Sequence, residues 1–278
     1  MDDRRILTIQ DISCVGQCSI TVALPILSAC GLETAVLPSA VLSTHTGGFT
    51  GYTFRDLTED MPRIAAHWKK EGIRFDAIYT GYLGSAEQVC YVREIRQAVG
   101  KAECVFLVDP AMADNGVLYP GFDDAFVDAM RSLCTQADYI LPNLTEACLM
   151  TSEPYRTQYD EIWIAGLLSK LSAICSGTIV LTGVGYTKDT TGVAVCTAGQ
   201  TQYYCHKRLS GGAHGTGDVF ASVFTGALLR GFDAAAAARL AADFTLCCIE
   251  ATVEDQSHWY GVKFEAQLPK LIQALESK

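Results

Sequence analysis

The run Gly211-Gly212-Ala213-His214-Gly215-Thr216-Gly217-Asp218 is the part of the chain whose residue types and spacing point most directly to chemistry. Glycines ahead of a helix let backbone come close to an anion. The free N–H groups of the first turn and the helix dipole then stabilise its charge. The helical stretch 219–229 follows at once, and Asp218 places an acid–base carboxylate in that same first turn. The spacing is neither G-x-x-x-x-G-K-[ST] nor the G-x-G-x-x-G of a first βα turn, and its late position counts against a dinucleotide-binding oxidoreductase. The plainer alternative is a helix N-terminus with an acidic first-turn residue.

Such a turn needs a frame, and the chain supplies one by alternation. Residues 4–10 read as a buried strand, 19–30 as a helix stopped by Gly31, and 33–38 as a second strand. A Ser/Thr/Gly-rich loop covers 43–53. Leu57, Met61, Ile64, Ala65 and Trp68 then recur at helical spacing before Gly72. Strand 76–80 precedes helix 85–99, which opens on a Ser85 cap with Glu87 in its first turn. Strand 104–109, helix 122–134, a brief strand 139–141, helix 161–175 and strand 178–182 continue the pattern. A hairpin of 192–197 and 201–206 around Ala198-Gly199-Gln200 follows, and helices 215–229, 234–250 and 264–275 finish the chain. This order predicts one α/β domain over 1–278 with a mostly parallel central sheet. Ligands bind such sheets at the carboxyl ends of the strands, which puts Asp11, Tyr82, Asp109, Asn143 and Thr182 on one face.

Composition bounds the partners. The 278 residues are 49% hydrophobic and 19% charged, a globular balance, and the net charge of −10 disfavours nucleic acid and anionic membrane. No signal-peptide or spanning pattern is present, so a cytoplasmic protein is expected. The 12 cysteines include no C-x-x-C pair and are expected to be reduced packing residues.

Gly215-Thr216-Gly217-Asp218 resembles the anion-hole motif of ribokinase-like kinases. The resemblance narrows to the pyridoxal kinase group through Ile9-Gln10 with Val15-Gly16, Ser43-Thr44-His45-Thr46, Gly81-Tyr82-Leu83-Gly84-Ser85, Asp109-Pro110-Ala111-Met112 and Pro142-Asn143-Leu144-Thr145-Glu146. Each segment is weak alone; the ordered set, covering about 4–229, is specific. It implies a three-layer α/β/α sandwich and transfer of the ATP γ-phosphoryl group to the 5′-hydroxymethyl group of a vitamin B6 vitamer. Asp218 would be the general base, and the N–H groups of Gly215, Thr216 and Gly217 would hold the transferring phosphoryl oxygens. Asp109, Asn143 and Glu146 would hold Mg²⁺, partly through water. The vitamer would meet Asp11, Ser13, His45, Thr46 and Tyr82. The nucleotide would meet Asp109, Leu141, Glu146, Thr182, Gly183 and the 211–217 turn with His214. The resemblance also implies a homodimer and admits a monovalent cation.

Many family members carry Ser directly after the Ile-Gln pair, where this chain has Asp11. Either Ser13 takes over the contact with the pyridine ring, or a carboxylate faces the substrate. A subgroup close to the hydroxymethylpyrimidine kinases has Cys where Asp218 stands, so Asp218 favours the pyridoxal kinase branch. The competing readings are a hydroxymethylpyrimidine or other small hydroxymethyl kinase and a B6-binding protein without catalysis, which would need no base.

Overall fold

The computed structural model describes residues 4–209, 214–255 and 257–277. In chain order its elements are β1 (Arg5–Ser13), α1 (Ile20–Ala29), β2 (Glu33–Leu42), β3 (Phe54–Asp56), α2 (Asp60–Lys70), β4 (Phe75–Thr80), α3 (Ala86–Val99) and β5 (Gly100–Val108). Then come β6 (Ala113–Asp114), β7 (Val117–Leu118), α4 (Asp124–Cys134), β8 (Tyr139–Ile140), α5 (Leu144–Thr151), α6 (Glu161–Ile174) and β9 (Thr178–Val184). The chain closes with β10 (Thr190–Thr197), β11 (Gln200–Lys207), α7 (Thr216–Leu229), α8 (Ala234–Val253), a short 3₁₀ turn and α9 (Leu268–Glu276).

Nine strands form one sheet in the order β11-β10-β9-β8-β5-β4-β1-β2-β3. From β2 to β9 every neighbouring pair is parallel; β3 at one edge and the β10–β11 hairpin at the other are antiparallel. Alternate side chains divide between two cores. Leu7, Ile9, Ile78, Phe106 and Leu181 pack beneath α2–α6. Ile6, Ala77, Tyr79, Leu107 and Val180 pack beneath α1, α7, α8 and α9. This is the expected three-layer sandwich, with helices on both faces as buried parallel strands require. The cysteines are free thiols, and Cys30, Cys104, Cys134, Cys148, Cys175, Cys196 and Cys248 are buried as small apolar packing groups.

The sequence reading differs from the structure in places that matter for the site. β1 runs on to Ser13, so Asp11 and Ser13 belong to the strand and not to the loop after it. Polar residues read as a strand's end, yet here they continue the ladder, pairing Ile12 with Val41 and Ser13 with Leu42 across a bulge. Helix α5 and the β6–β7 hairpin were absent from the reading. Nearly every side chain of α5 is buried, so it carries no one-sided apolar stripe to betray it.

Candidate active site

Every parallel strand from β1 to β9 contributes to, or leads into, one cleft of about 600 Å³ at the carboxyl end of the sheet. Asp11 and Ser13 line it from β1, and His45 and Thr46 from the loop after β2. Tyr82 follows β4, Asp109 follows β5, and Leu141, Asn143 and Glu146 follow β8. Thr182 and Gly183 stand on β9, with His214, Gly215, Thr216, Gly217 and Asp218 opposite them. All the sequence-predicted residues that are described share this wall; Gly211, Gly212 and Ala213 lie outside the described residues.

Helix α7 begins on Gly215, whose φ of 78° is left-handed. Glycine accepts that conformation without strain. The turn places Asp218 in the first turn of α7, where burial, with a smaller push from Asp11 and against the pull of the Ser19 N–H, raises its carboxyl to about 7.

Asp109 and Glu146 face the same space. Glu146 is held by a capping box: Asn143 Oδ1 accepts from the N–H groups of Thr145 (2.8 Å) and Glu146 (3.0 Å), and Glu146 Oε2 accepts from Asn143 N–H (2.8 Å). Glu146 Oε1 accepts from Met112 N–H at 3.1 Å, and Asn143 Nδ2 donates to Ala113 O at 2.8 Å. Both acceptor positions of the Asn143 oxygen are therefore occupied by backbone, so its side chain serves the helix and the hairpin and sets the position of Glu146. Burial raises Glu146 to about 8. Burial, then Glu146 and Asp218, push Asp109 well above the usual carboxylate range.

No Lys or Arg among the described residues forms an ion pair with Asp109, Glu146 or Asp218. No group of three His, Cys, Asp or Glu among them has metal-ligand spacing. The donors are hard oxygens and too few for a closed cage, which fits a hydrated Mg²⁺ completed by water and phosphate.

At the other end Ser13 Oγ donates to Asp11 Oδ2 at 2.8 Å, both buried. The strand places Asp11 inward, away from the turn after it. Burial raises Asp11, while the Ser19 and Ser13 hydroxyls and His45 pull it back. His45 Nδ1 accepts from Gly47 N–H (3.1 Å), so the proton sits on Nε2, which donates to Tyr260 O (2.8 Å). Burial lowers its basicity and keeps the ring neutral.

Sequence reasoning missed Asp114, Tyr119 and Cys18, all on the cleft wall. The hairpin carrying the first two had a signal: Asn115-Gly116, with φ of 50° and 81°, is the dipeptide that favours a tight two-residue turn. His206 also lines the cleft; His258 Nε2 meets Gln17 Oε1 at 3.0 Å, and His67 on α2 lies 3.9 Å from Glu71 at the end of that helix.

The chain is similar to known proteins along nearly all its length. The phosphomethylpyrimidine kinase family matches residues 27–262. A pyridoxine/pyridoxal/pyridoxamine kinase of Bordetella bronchiseptica is 30% identical over 263 residues, 90% of this chain and 89% of that protein. The crystal structure of pyridoxal kinase from Lactobacillus plantarum superposes with a TM-score of 0.91 at 34% identity, covering 99% of this chain and 98% of that one. A Bacteroides thetaiotaomicron chain described as a phosphomethylpyrimidine kinase, in a crystal form with pyridoxal, superposes equally well (TM-score 0.91, 36% identity, 99% and 96% coverage). The chain thus belongs to the phosphomethylpyrimidine kinase family, in the pyridoxal kinase group of the ribokinase-like fold.

Proposed function

We propose that this chain, acting as a single domain, transfers the γ-phosphoryl group of ATP to the 5′-hydroxymethyl group of pyridoxal, pyridoxine or pyridoxamine. The observation that carries this reading is Asp218 in the first turn of α7, in one cleft with the buried carboxylates Asp109 and Glu146. Phosphoryl transfer asks mainly for positioning and charge stabilisation. The free N–H groups of Gly215, Thr216 and Gly217 point where charge gathers on the transferring oxygens. Asp218 takes the hydroxyl proton as oxygen attacks phosphorus. Asp109 and Glu146 would hold hydrated Mg²⁺, and the metal would supply positive charge against the phosphates. Asp11, Ser13, His45, Thr46 and Tyr82 surround the pyridine ring; Leu141, Thr182, Gly183 and His214 receive the nucleotide. A homodimer and a cytoplasmic site of action accompany this reading on the strength of the family resemblance.

The decisive assay is ADP release with pyridoxal, pyridoxine, pyridoxamine and hydroxymethylpyrimidine. Turnover confined to hydroxymethylpyrimidine would replace the B6 reading with the other branch of the family.

Two variants divide the roles. Glu146→Gln is expected to raise the Mg²⁺ concentration for half-maximal rate at saturating ATP, with vitamer binding unaltered in the absence of nucleotide. An unchanged Mg²⁺ titration would leave Glu146 a capping residue only. Asp11→Ser is expected to lower the ratio of kcat/KM for pyridoxamine over pyridoxal by about tenfold, which is about 1.4 kcal/mol. The reason is that a carboxylate favours a protonated ring nitrogen or an ammonium by a charge-assisted bond that a neutral hydroxyl replaces poorly. A ratio constant within about twofold would give Asp11 a purely structural part.

A further inference from the structure

Beneath Asp218 the core is not apolar. Gln10 on β1, Tyr79 on β4 and Ser222 on α7 are each fully buried. They meet on the α7 side of the sheet, where Thr8 pairs with Tyr79 across β1 and β4. Ser222 lies one helical turn beyond Asp218, and Thr225 almost another turn on, so one face of α7 carries Asp218, Ser222 and Thr225 over this strip.

Gln10 Nε2 donates to Thr8 Oγ1 at 2.8 Å, but Gln10 Oε1, Tyr79 Oη, Ser222 Oγ and Thr225 Oγ1 have no hydrogen-bond partner of good geometry among the described residues. Tyr79 Oη lies near enough to the side chains of Ser222 and Gln10 to interact with both, without a hydrogen bond of good distance and angle to either, and Asp109 and Asp218 act on it electrostatically. The missing Cβ of Gly81 keeps open the place of the Gln10 amide, since a Cβ there would lie 2.5 Å from Oε1.

Buried polar groups in folded proteins almost always find partners, and three convergent ones suit a single internal water. We infer that Gln10 Oε1, Tyr79 Oη and Ser222 Oγ share a buried water that fastens α7 to the sheet, so that Tyr79 is a positioning residue for Asp218 and the anion turn. Tyr79 and Ser222 hydroxyls each give or take a proton in hydrogen bonds, and the Gln10 oxygen accepts, so the water is satisfied by three protein groups. The Ile9-Gln10 pair, conspicuous in sequence but without a part in substrate contact, acquires a role: Gln10 sets one corner of this site. The link to catalysis rests on the phosphoryl-transfer reading above.

Three measurements on Tyr79→Phe and Ser222→Ala test the inference. A high-resolution crystal structure of the full chain is expected to show one ordered water bonded to Gln10, Tyr79 and Ser222, lost or displaced in Tyr79→Phe. Steady-state kinetics are expected to show kcat lowered about tenfold with both KM values within about twofold, because small displacements of catalytic groups cost rate more than binding. Ser222→Thr, which keeps the hydroxyl, is expected to retain more of kcat than Ser222→Ala. A dry site in the wild-type crystal overturns the inference. So does a Tyr79→Phe protein with raised Tm and unchanged kcat, the signature of removing a hydroxyl that had no partner at all. If the wild type phosphorylates no vitamer, the functional reading fails, while the crystallographic water and the direction of the Tm change still decide on the buried site.

Discussion

Asp218→Asn is expected to leave the fold and ATP binding intact and to lower kcat by about 10²–10⁴-fold, the usual cost of removing a positioned general base. Asn fills the same volume and keeps an acceptor for the Ser19 N–H, so the loss falls on proton transfer. The pH dependence carries the same signature. Burial raises the Asp218 carboxyl to about 7, and only its ionised form can accept the hydroxyl proton. Wild-type kcat/KM is therefore expected to fall as pH drops through that value, by about tenfold per unit below it. The residual rate of the Asn variant is expected to lack this limb. Retention of more than about a third of wild-type kcat would remove Asp218 from the base role.

Gly215→Ala is expected to be the next most damaging change, and for a backbone reason. Gly215 has a φ of 78°, where an L-residue costs roughly 1–2 kcal/mol. Its Cβ would also overlap the carbonyl oxygen of Gln17, and backbone cannot swing aside as a flexible side chain can. Either the start of α7 or the 16–19 segment must move, carrying with it the N–H groups of the turn that are proposed to hold the phosphoryl oxygens. A displacement near 1 Å is worth about 10²-fold in rate. Gly217→Ala provides the contrast, since a Cβ there meets nothing within 4 Å among the described residues. Thermal melts of the two should separate them: Gly215→Ala lowers Tm, and Gly217→Ala does not. Equal melting temperatures, with full turnover in Gly215→Ala, would show that this turn tolerates displacement.

The alternation of strands and helices was legible because many of the amphipathic or apolar runs are bounded by residues such as Gly31, Gly72 and Ser85. Ser85, for example, accepts from Gln88 N–H as the N-cap of α3. Strand-end logic brought Asp11, Tyr82, Asp109, Asn143 and Thr182 to one cleft before any contact was known. Less legible were features whose partners lie far off in sequence. Asn143 reads from sequence as a ligand with a turn cap as the alternative, and only the hydrogen bonds from Thr145 and Glu146 show its oxygen occupied. Asp114 and Tyr119 sit on a two-stranded arm too short for any periodicity. The polarity of Gln10, Tyr79 and Ser222 is invisible as a cluster until β1, β4 and α7 are stacked.

The segment 257–265 holds the Asp11–His45 end of the cleft, the end proposed to take the vitamer, by long reaches along the chain. Tyr260 O accepts a hydrogen bond from His45 Nε2, His258 meets Gln17, and Glu265 accepts from Gln17 Nε2, at sequence separations of 215, 241 and 248 residues. Trp259 also lies over Phe49, with ring centroids 4.5 Å apart. During synthesis the ribosome delivers residues at about 5–20 per second, N-terminus first. The loops around Gln17 and His45 therefore wait on the order of ten seconds or more for the segment that clasps them. A nascent chain halted near α8 would already own its anion turn and its carboxylates, yet its vitamer side would be unfastened. The two ends of the cleft therefore become complete at different times, the carboxylate end before the end that closes on His45.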